Sequence, residues 1–67
     1  MKYYRFIEFE SGEVFFVGAI DQTTATIKAR EIASDILRWN DIDAPMQLRC
    51  YGEVDEEYME SMVWEIY

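Results

Sequence analysis

The chain has 67 residues, 51% of them hydrophobic and 16% aromatic, which is enough apolar side chain for one packed core and too much for a disordered tail. A second domain has no room, so residues 1–67 read as a single acidic domain. Fourteen acidic against six basic residues give a formal charge of −8, which excludes a nucleic-acid or anionic-membrane binder working through a basic patch and makes a basic surface the natural partner.

The first predicted element is a β-hairpin. Ser11-Gly12 fits a two-residue turn, since Gly supplies the positive φ that such turns demand, and both flanks are rich in β-branched and aromatic residues. Strands over Lys2 to Glu10 and Glu13 to Ile20 follow, with Glu10 opposite Glu13 and Ile7 opposite Phe16. Alternation then sorts the side chains onto two faces. Tyr3, Arg5, Ile7, Phe9, Val14, Phe16, Gly18 and Ile20 form the expected core face. Tyr4, Phe6, Glu8, Glu10, Glu13, Phe15, Val17 and Ala19 form a half-aromatic, half-acidic face expected at the surface.

Asp21, Thr23 and Thr24 are capping residues, and Ala25, Ala29, Ile32, Ala33, Ile36 and Leu37 recur at helical spacing, which predicts a helix over Thr24 to Trp39. Its alanines allow a close approach to the sheet, while Lys28, Arg30, Glu31, Ser34, Asp35 and Arg38 point outward as a solvated face. Asn40 to Pro45 reads as a loop. Met46, Leu48, Cys50, Gly52 and Val54 alternate with Gln47, Arg49, Tyr51 and Glu53, which predicts a third, half-buried strand. The last segment, DEEYMESMVWEIY, carries a helical stripe (Tyr58, Met59, Met62, Val63, Ile66) and an alternation (Met62, Trp64, Ile66) at once. An acidic turn followed by a short strand is favoured, because Val63, Trp64, Ile66 and Tyr67 are strand-prone. The fold class is therefore α+β: a hairpin, one helix, then one or two further strands, forming a small antiparallel sheet with the helix on one face.

Chemistry is sparse. The chain has no histidine, which removes the commonest general base and metal ligand. Cys50 is the only cysteine, so no disulfide forms within the chain, and a reducing cytoplasm is the expected compartment. On the apolar side of its strand it reads as a small buried side chain. Gly12, Gly18 and Gly52 are too scattered for a phosphate loop. Asp41 with Asp43, or Asp55 with Glu56 and Glu57, could be inspected for calcium or magnesium, but the twelve-residue calcium-loop pattern is absent and solvated loop charge is the plainer reading. The expectation is no enzyme, no cofactor and no metal.

What remains is the acidic surface. After Arg49 no basic residue follows, while Glu53, Asp55, Glu56, Glu57, Glu60 and Glu65 do, and with Glu8, Glu10 and Glu13 they make nine carboxylates with few counter-charges. Alternate strand residues lie about 6.6–6.8 Å apart, comparable with successive phosphates, so Glu8 and Glu10 on one face could occupy an arginine-lined groove. Phe6, Phe15, Tyr4 and Tyr58 would add apolar anchors. A hairpin with a Ser-Gly turn, one alanine-rich helix (ATIKAREIASDIL) and acidic stretches such as EVDEEYMES together resemble the small phage-encoded inhibitors of bacterial defence, especially anti-CRISPR proteins that act as DNA mimics. The resemblance covers most of the chain in composition and element order. It implies that Glu8, Glu10, Glu13, Glu53, Asp55, Glu56, Glu57 and Glu60 plug the DNA site of a CRISPR effector in the host cytoplasm, and Phe15, read above as an apolar anchor, completes the expected partner-binding set. Such inhibitors also act by blocking a subunit contact or by dimerising the target, and composition does not choose among these routes. The alternative is an interaction or regulatory module, monomeric or homodimeric, whose Tyr4, Phe6, Phe15 and Val17 face is its own interface.

Overall fold

The computed structural model describes residues 1–58 and residue 67. Strand β1 (Lys2–Glu8) pairs antiparallel with β2 (Glu13–Ala19) on one side and with β3 (Leu48–Val54) on the other, giving the order β2-β1-β3. Helix α1 (Gln22–Trp39) crosses back between β2 and β3 and packs on one face of the sheet. The α+β architecture expected from the sequence is present, in a flat body of 34 × 24 × 15 Å.

The hairpin departs from the expected register. Glu8, not Glu10, lies opposite Glu13, and Phe6 lies opposite Phe15, so residues 9–12 all belong to the connection. The reason is Glu8. Its Oε1 accepts the Ser11 N–H at 2.7 Å, and its backbone carbonyl accepts the Gly12 N–H at 2.8 Å, closing a wider turn in which Gly12 takes the left-handed φ of 75°. A slip of two residues leaves every side chain on the face that alternation gave it. The membership of the two faces therefore holds.

Which face is the core is inverted. Tyr4, Phe6, Phe15, Val17 and Ala19 are buried with Ala25, Ala29, Ala33 and Ile36 of the helix, and Ile32, Met46, Leu48 and Cys50 pack around them. Phe6 and Phe15 stack with ring centroids 5.8 Å apart. The apolar content of the two faces is similar, so the polar groups decide. Burying the other face would enclose Arg5, a charge that cannot be neutralised, whereas Glu8 finds backbone donors inside. Glu10 escapes into the turn and Glu13 sits at the sheet end, half-buried.

Helix α1 begins two residues before the expected start, because Asp21 is its N-cap and accepts the Thr24 N–H at 2.8 Å. The alanines at 25, 29 and 33 are fully buried, which brings the helix backbone close to the rings below. Lys28 does not pair with a helix carboxylate but donates from Nζ to the Gly18 carbonyl at 2.8 Å, tying the helix to β2; Arg38 pairs with Asp35. Asn40 ends the helix, its N–H bonded to the Ile36 and Arg38 carbonyls.

Strand β3 is not regular. Phe6 faces Cys50 but Tyr4 faces Glu53, so Arg5 is opposed by both Tyr51 and Gly52, and Gly52 adopts a φ of 96°. The bulge reverses the alternation beyond it. Val54, expected on the side of Leu48 and Cys50, lies opposite Tyr3 on the outer face, and Glu53 turns to the helix side. Residues 56–58 are helical, and the favoured short C-terminal strand falls on residues outside the described ones except for Tyr67. Tyr67 donates to the Phe16 carbonyl and accepts the Gly18 N–H, both at 2.8 Å, flanking Val17 as a strand neighbour does, with its ring edge-on to Phe15.

Candidate protein-interaction surface

The carboxylates proposed as a partner-binding set do not form one array. Glu8 and Phe15 are fully buried and belong to no surface, so both leave the set. Burial pushes the Glu8 pKa up, but the backbone N–H groups of Gln47 and Ser11, the Ser11 hydroxyl and the Glu10 N–H together outweigh it and hold the carboxyl below its ordinary value of 4.5. Its Oε2 accepts the Gln47 N–H at 2.8 Å across the sheet. Glu8 is a structural clasp between the hairpin turn and the loop before β3. The phosphate-like spacing read from Glu8 and Glu10 disappears with it, since the strand ends at Glu8.

The remaining acids separate into two ends. Glu10 and Glu13 mark the hairpin end; the loop that carries exposed Asp41 and Asp43 from the helix into β3 lies there as well, held by the Phe9 N–H to Gln47 carbonyl bond of 2.8 Å. Exposed Glu53, Asp55, Glu56 and Glu57 mark the other end, beside Lys2 and the helix N-cap Asp21. Glu53 stands opposite Tyr4 and Glu13 opposite Glu8. The two ends are thus about 13–14 Å apart along β1, four residues at strand rise. Glu60 and Glu65 lie outside the described residues.

Counter-charge is thin at both ends. Among the described residues, basic nitrogens approach carboxylates only at Lys2–Glu53, 3.7 Å apart with both side chains more than half exposed, and at Arg38–Asp35. Backbone and side-chain hydrogen bonds from Thr24 hold the Asp21 carboxyl below its ordinary pKa, so it is committed to the helix. No group of three or more His, Cys, Asp or Glu converges as a metal site among the described residues, and no described helix is long and apolar enough to cross a membrane.

The aromatic hairpin face, offered as a dimer interface, is the interior: Tyr4, Phe6, Phe15 and Val17 are at most 4% exposed. The opposite face, which sequence reasoning assigned to the core, is open in part: Phe9, Val14 and Tyr51 are exposed, while Phe16 and Gly18 are buried. There the Arg5 guanidinium lies 5.5 Å from the centre of the Tyr51 ring and that of Arg49 lies 5.9 Å from the centre of Phe9. Tyr58 lines a shallow hollow with Arg5, Tyr51, Glu53, Val54 and Asp55. The signal was present in the sequence as an arginine in the middle of a strand otherwise read as apolar on that side.

Comparison with known proteins finds no family model, no curated protein and no solved structure that the chain matches. Function is therefore argued from the surface alone.

Proposed function

We propose that this chain is a non-enzymatic inhibitor that binds the basic, DNA-contacting surface of a nucleic-acid-binding protein or complex and competes with DNA there, in the cytoplasm of a host cell. A CRISPR effector is the target that the resemblance to anti-CRISPR proteins implies. The observation that carries this reading is the run of exposed carboxylates at Glu53, Asp55, Glu56 and Glu57, in which a single 3.7 Å contact with Lys2 is the only basic partner among the described residues. Such crowding opposes folding through self-repulsion and becomes favourable when lysines and arginines of a partner replace water around it. The second acidic end, Glu10, Glu13, Asp41 and Asp43, sits on the same three-stranded platform. A cationic groove can therefore be gripped at two places with a fixed separation.

The experiment is competition binding against a DNA-loaded candidate effector across 50–500 mM salt, repeated with Asp55→Asn, Glu56→Gln and Glu57→Gln combined. Charge mimicry requires affinity to fall steeply with salt and the triple variant to lose at least about tenfold at low salt. Affinity indifferent to salt and to the triple substitution would assign inhibition to a subunit contact instead.

A further inference from the structure

The outer face of the sheet has the opposite polarity to the rest of the molecule. Its strand residues are Tyr3, Arg5 and Ile7 of β1, Val14, Phe16 and Gly18 of β2, and Arg49, Tyr51 and Val54 of β3, a set without a carboxylate. With a formal charge of −8 on the chain and +2 on this face, the remainder carries −10. Part of the face is open: Phe9 is 52% exposed, Tyr51 49% and Val14 36%, and Arg49 is exposed as well. Both arginines rest on aromatic rings, and neither is within 4.0 Å of a carboxylate among the described residues. A ring contact fixes a guanidinium without using its N–H donors, which stay available for bidentate bonds to an anion.

We propose that this face docks an extended peptide segment of another protein, carrying two carboxylates at alternate positions and basic residues on either side. The spacing comes from the register. Ile7 is directly opposite Arg49, so Arg5, two residues earlier on β1, is the diagonal neighbour of Arg49. Diagonal positions lie about 7–8 Å apart, and side chains at i and i+2 of an extended chain about 6.6–6.8 Å apart. Carboxylates so placed meet both guanidinium groups at once, while the intervening side chain points away from the sheet. The flanks are set by the acidic ends: Glu10 and Glu13 beyond one margin of the face, Glu53 and Asp55 beyond the other. A single-stranded nucleic acid carries a charge at every nucleotide and would run its further phosphates into those carboxylates. A short acidic motif bounded by lysine or arginine meets attraction throughout. The two arginines lie outside the acidic set of the inhibitor reading, so glutamate-dependent binding at them stands or falls independently of it.

The test is a titration of the full-length, nitrogen-15-labelled chain with the peptide Lys-Thr-Glu-Val-Glu-Thr-Lys, its glutamine counterpart Lys-Thr-Gln-Val-Gln-Thr-Lys, and an eight-base oligothymidine. Saturable shifts of the Arg5, Ile7, Arg49 and Tyr51 amides with the glutamate peptide alone, weakened about tenfold in Arg49→Gln, are the expected result. Arg49 is exposed, so that variant should keep the native spectrum, and Arg5→Gln provides an independent second site. Equal binding of the glutamine peptide, tighter binding of the oligothymidine, or no binding of the glutamate peptide overturns the proposal. Concentration-dependent shifts of the same amides without any peptide, with a dimer in sedimentation, would overturn it in favour of a second copy.

Discussion

Replacing Glu8 is the sharpest way to perturb this fold, because one fully buried carboxylate holds two separate segments. Its oxygens accept the Ser11 N–H at 2.7 Å and the Gln47 N–H at 2.8 Å. Hydrogen bonds to a charged group contribute about 1.5–3 kcal/mol each, so losing both in Glu8→Ala costs about 3–6 kcal/mol. A 67-residue domain has a total stability of about 3–10 kcal/mol. Glu8→Ala should therefore be unfolded or nearly so. Glu8→Gln is the informative variant. It keeps the volume and one acceptor but turns an NH2 group toward the other N–H, so it should cost about 1.5–3 kcal/mol, read as a lower urea midpoint by circular dichroism at unchanged m.

The pH dependence fixes the mechanism. The folded carboxyl titrates below its ordinary 4.5. On acidification the unfolded chain takes up this proton first, so the stability that Glu8 contributes is complete above about pH 4.5 and is lost as pH falls through the folded value. The stability gap between wild type and Glu8→Gln should accordingly stay constant from pH 8 to pH 5 and close below pH 4.5. Hydrogen exchange should find the Ser11 and Gln47 amides protected in the wild type and at least one of them released in the variant. A Glu8→Gln protein as stable as wild type at pH 7, with both amides still protected, would refute the assignment of Glu8 as the clasp.

Three further perturbations test other parts of the fold. Ala29→Leu forces a larger side chain into the contact between α1 and the sheet, where Ala29 is fully buried, and should cost about 1–3 kcal/mol in urea unfolding. Gly52→Ala should cost about 1–2 kcal/mol through its φ of 96° alone, since a Cβ there meets nothing within 4 Å; a D-alanine at position 52, introduced by chemical synthesis, should be close to neutral, and equal loss from both enantiomers would show a packing effect instead. Sodium chloride at 0.5 M should raise the melting temperature, because the net charge is −8 and the described ion pairs are exposed; a lowered melting temperature would mean that attractive pairs outweigh the repulsion.

The helix was the most legible element, since its buried alanines at 25, 29 and 33 and the cap at Asp21 are local signals that tertiary structure had no reason to override. The hairpin was legible in its faces and illegible in its register. Turn chemistry at Ser11-Gly12 argues for two residues, and only a carboxylate reaching from Glu8 to the Ser11 N–H makes four the better solution. The same carboxylate decides which face is buried, through a donor at Gln47 that is 39 residues away in the chain and invisible to any local pattern. Gly52 was read as a member of an alternating strand, where its φ of 96° marks a bulge that reverses Glu53 and Val54.

These errors share a cause that bears on function. Counting carboxylates along the sequence treats each as surface charge, yet Glu8 is interior and Asp21 is bound to a helix terminus, so neither is available to a partner. What the fold leaves outside is an acidic end at Glu10, Glu13, Asp41 and Asp43, a second at Glu53 to Glu57, and a cationic, aromatic strip at Arg5, Arg49, Phe9 and Tyr51 on the sheet face that joins them. A uniformly acidic protein would be attracted to any polycation in proportion to charge. This arrangement sets a cationic strip between two acidic ends, so the orientation of a partner is selected as well as its charge. An Arg5→Gln, Arg49→Gln double variant separates the two contributions. Binding to a simple polycation such as polylysine should be unchanged or stronger, because two repelling charges are gone. Binding to the true target should weaken if the strip takes part in recognition, and a target affinity that rises in parallel with the polylysine affinity would leave the acidic ends as the whole of the interaction.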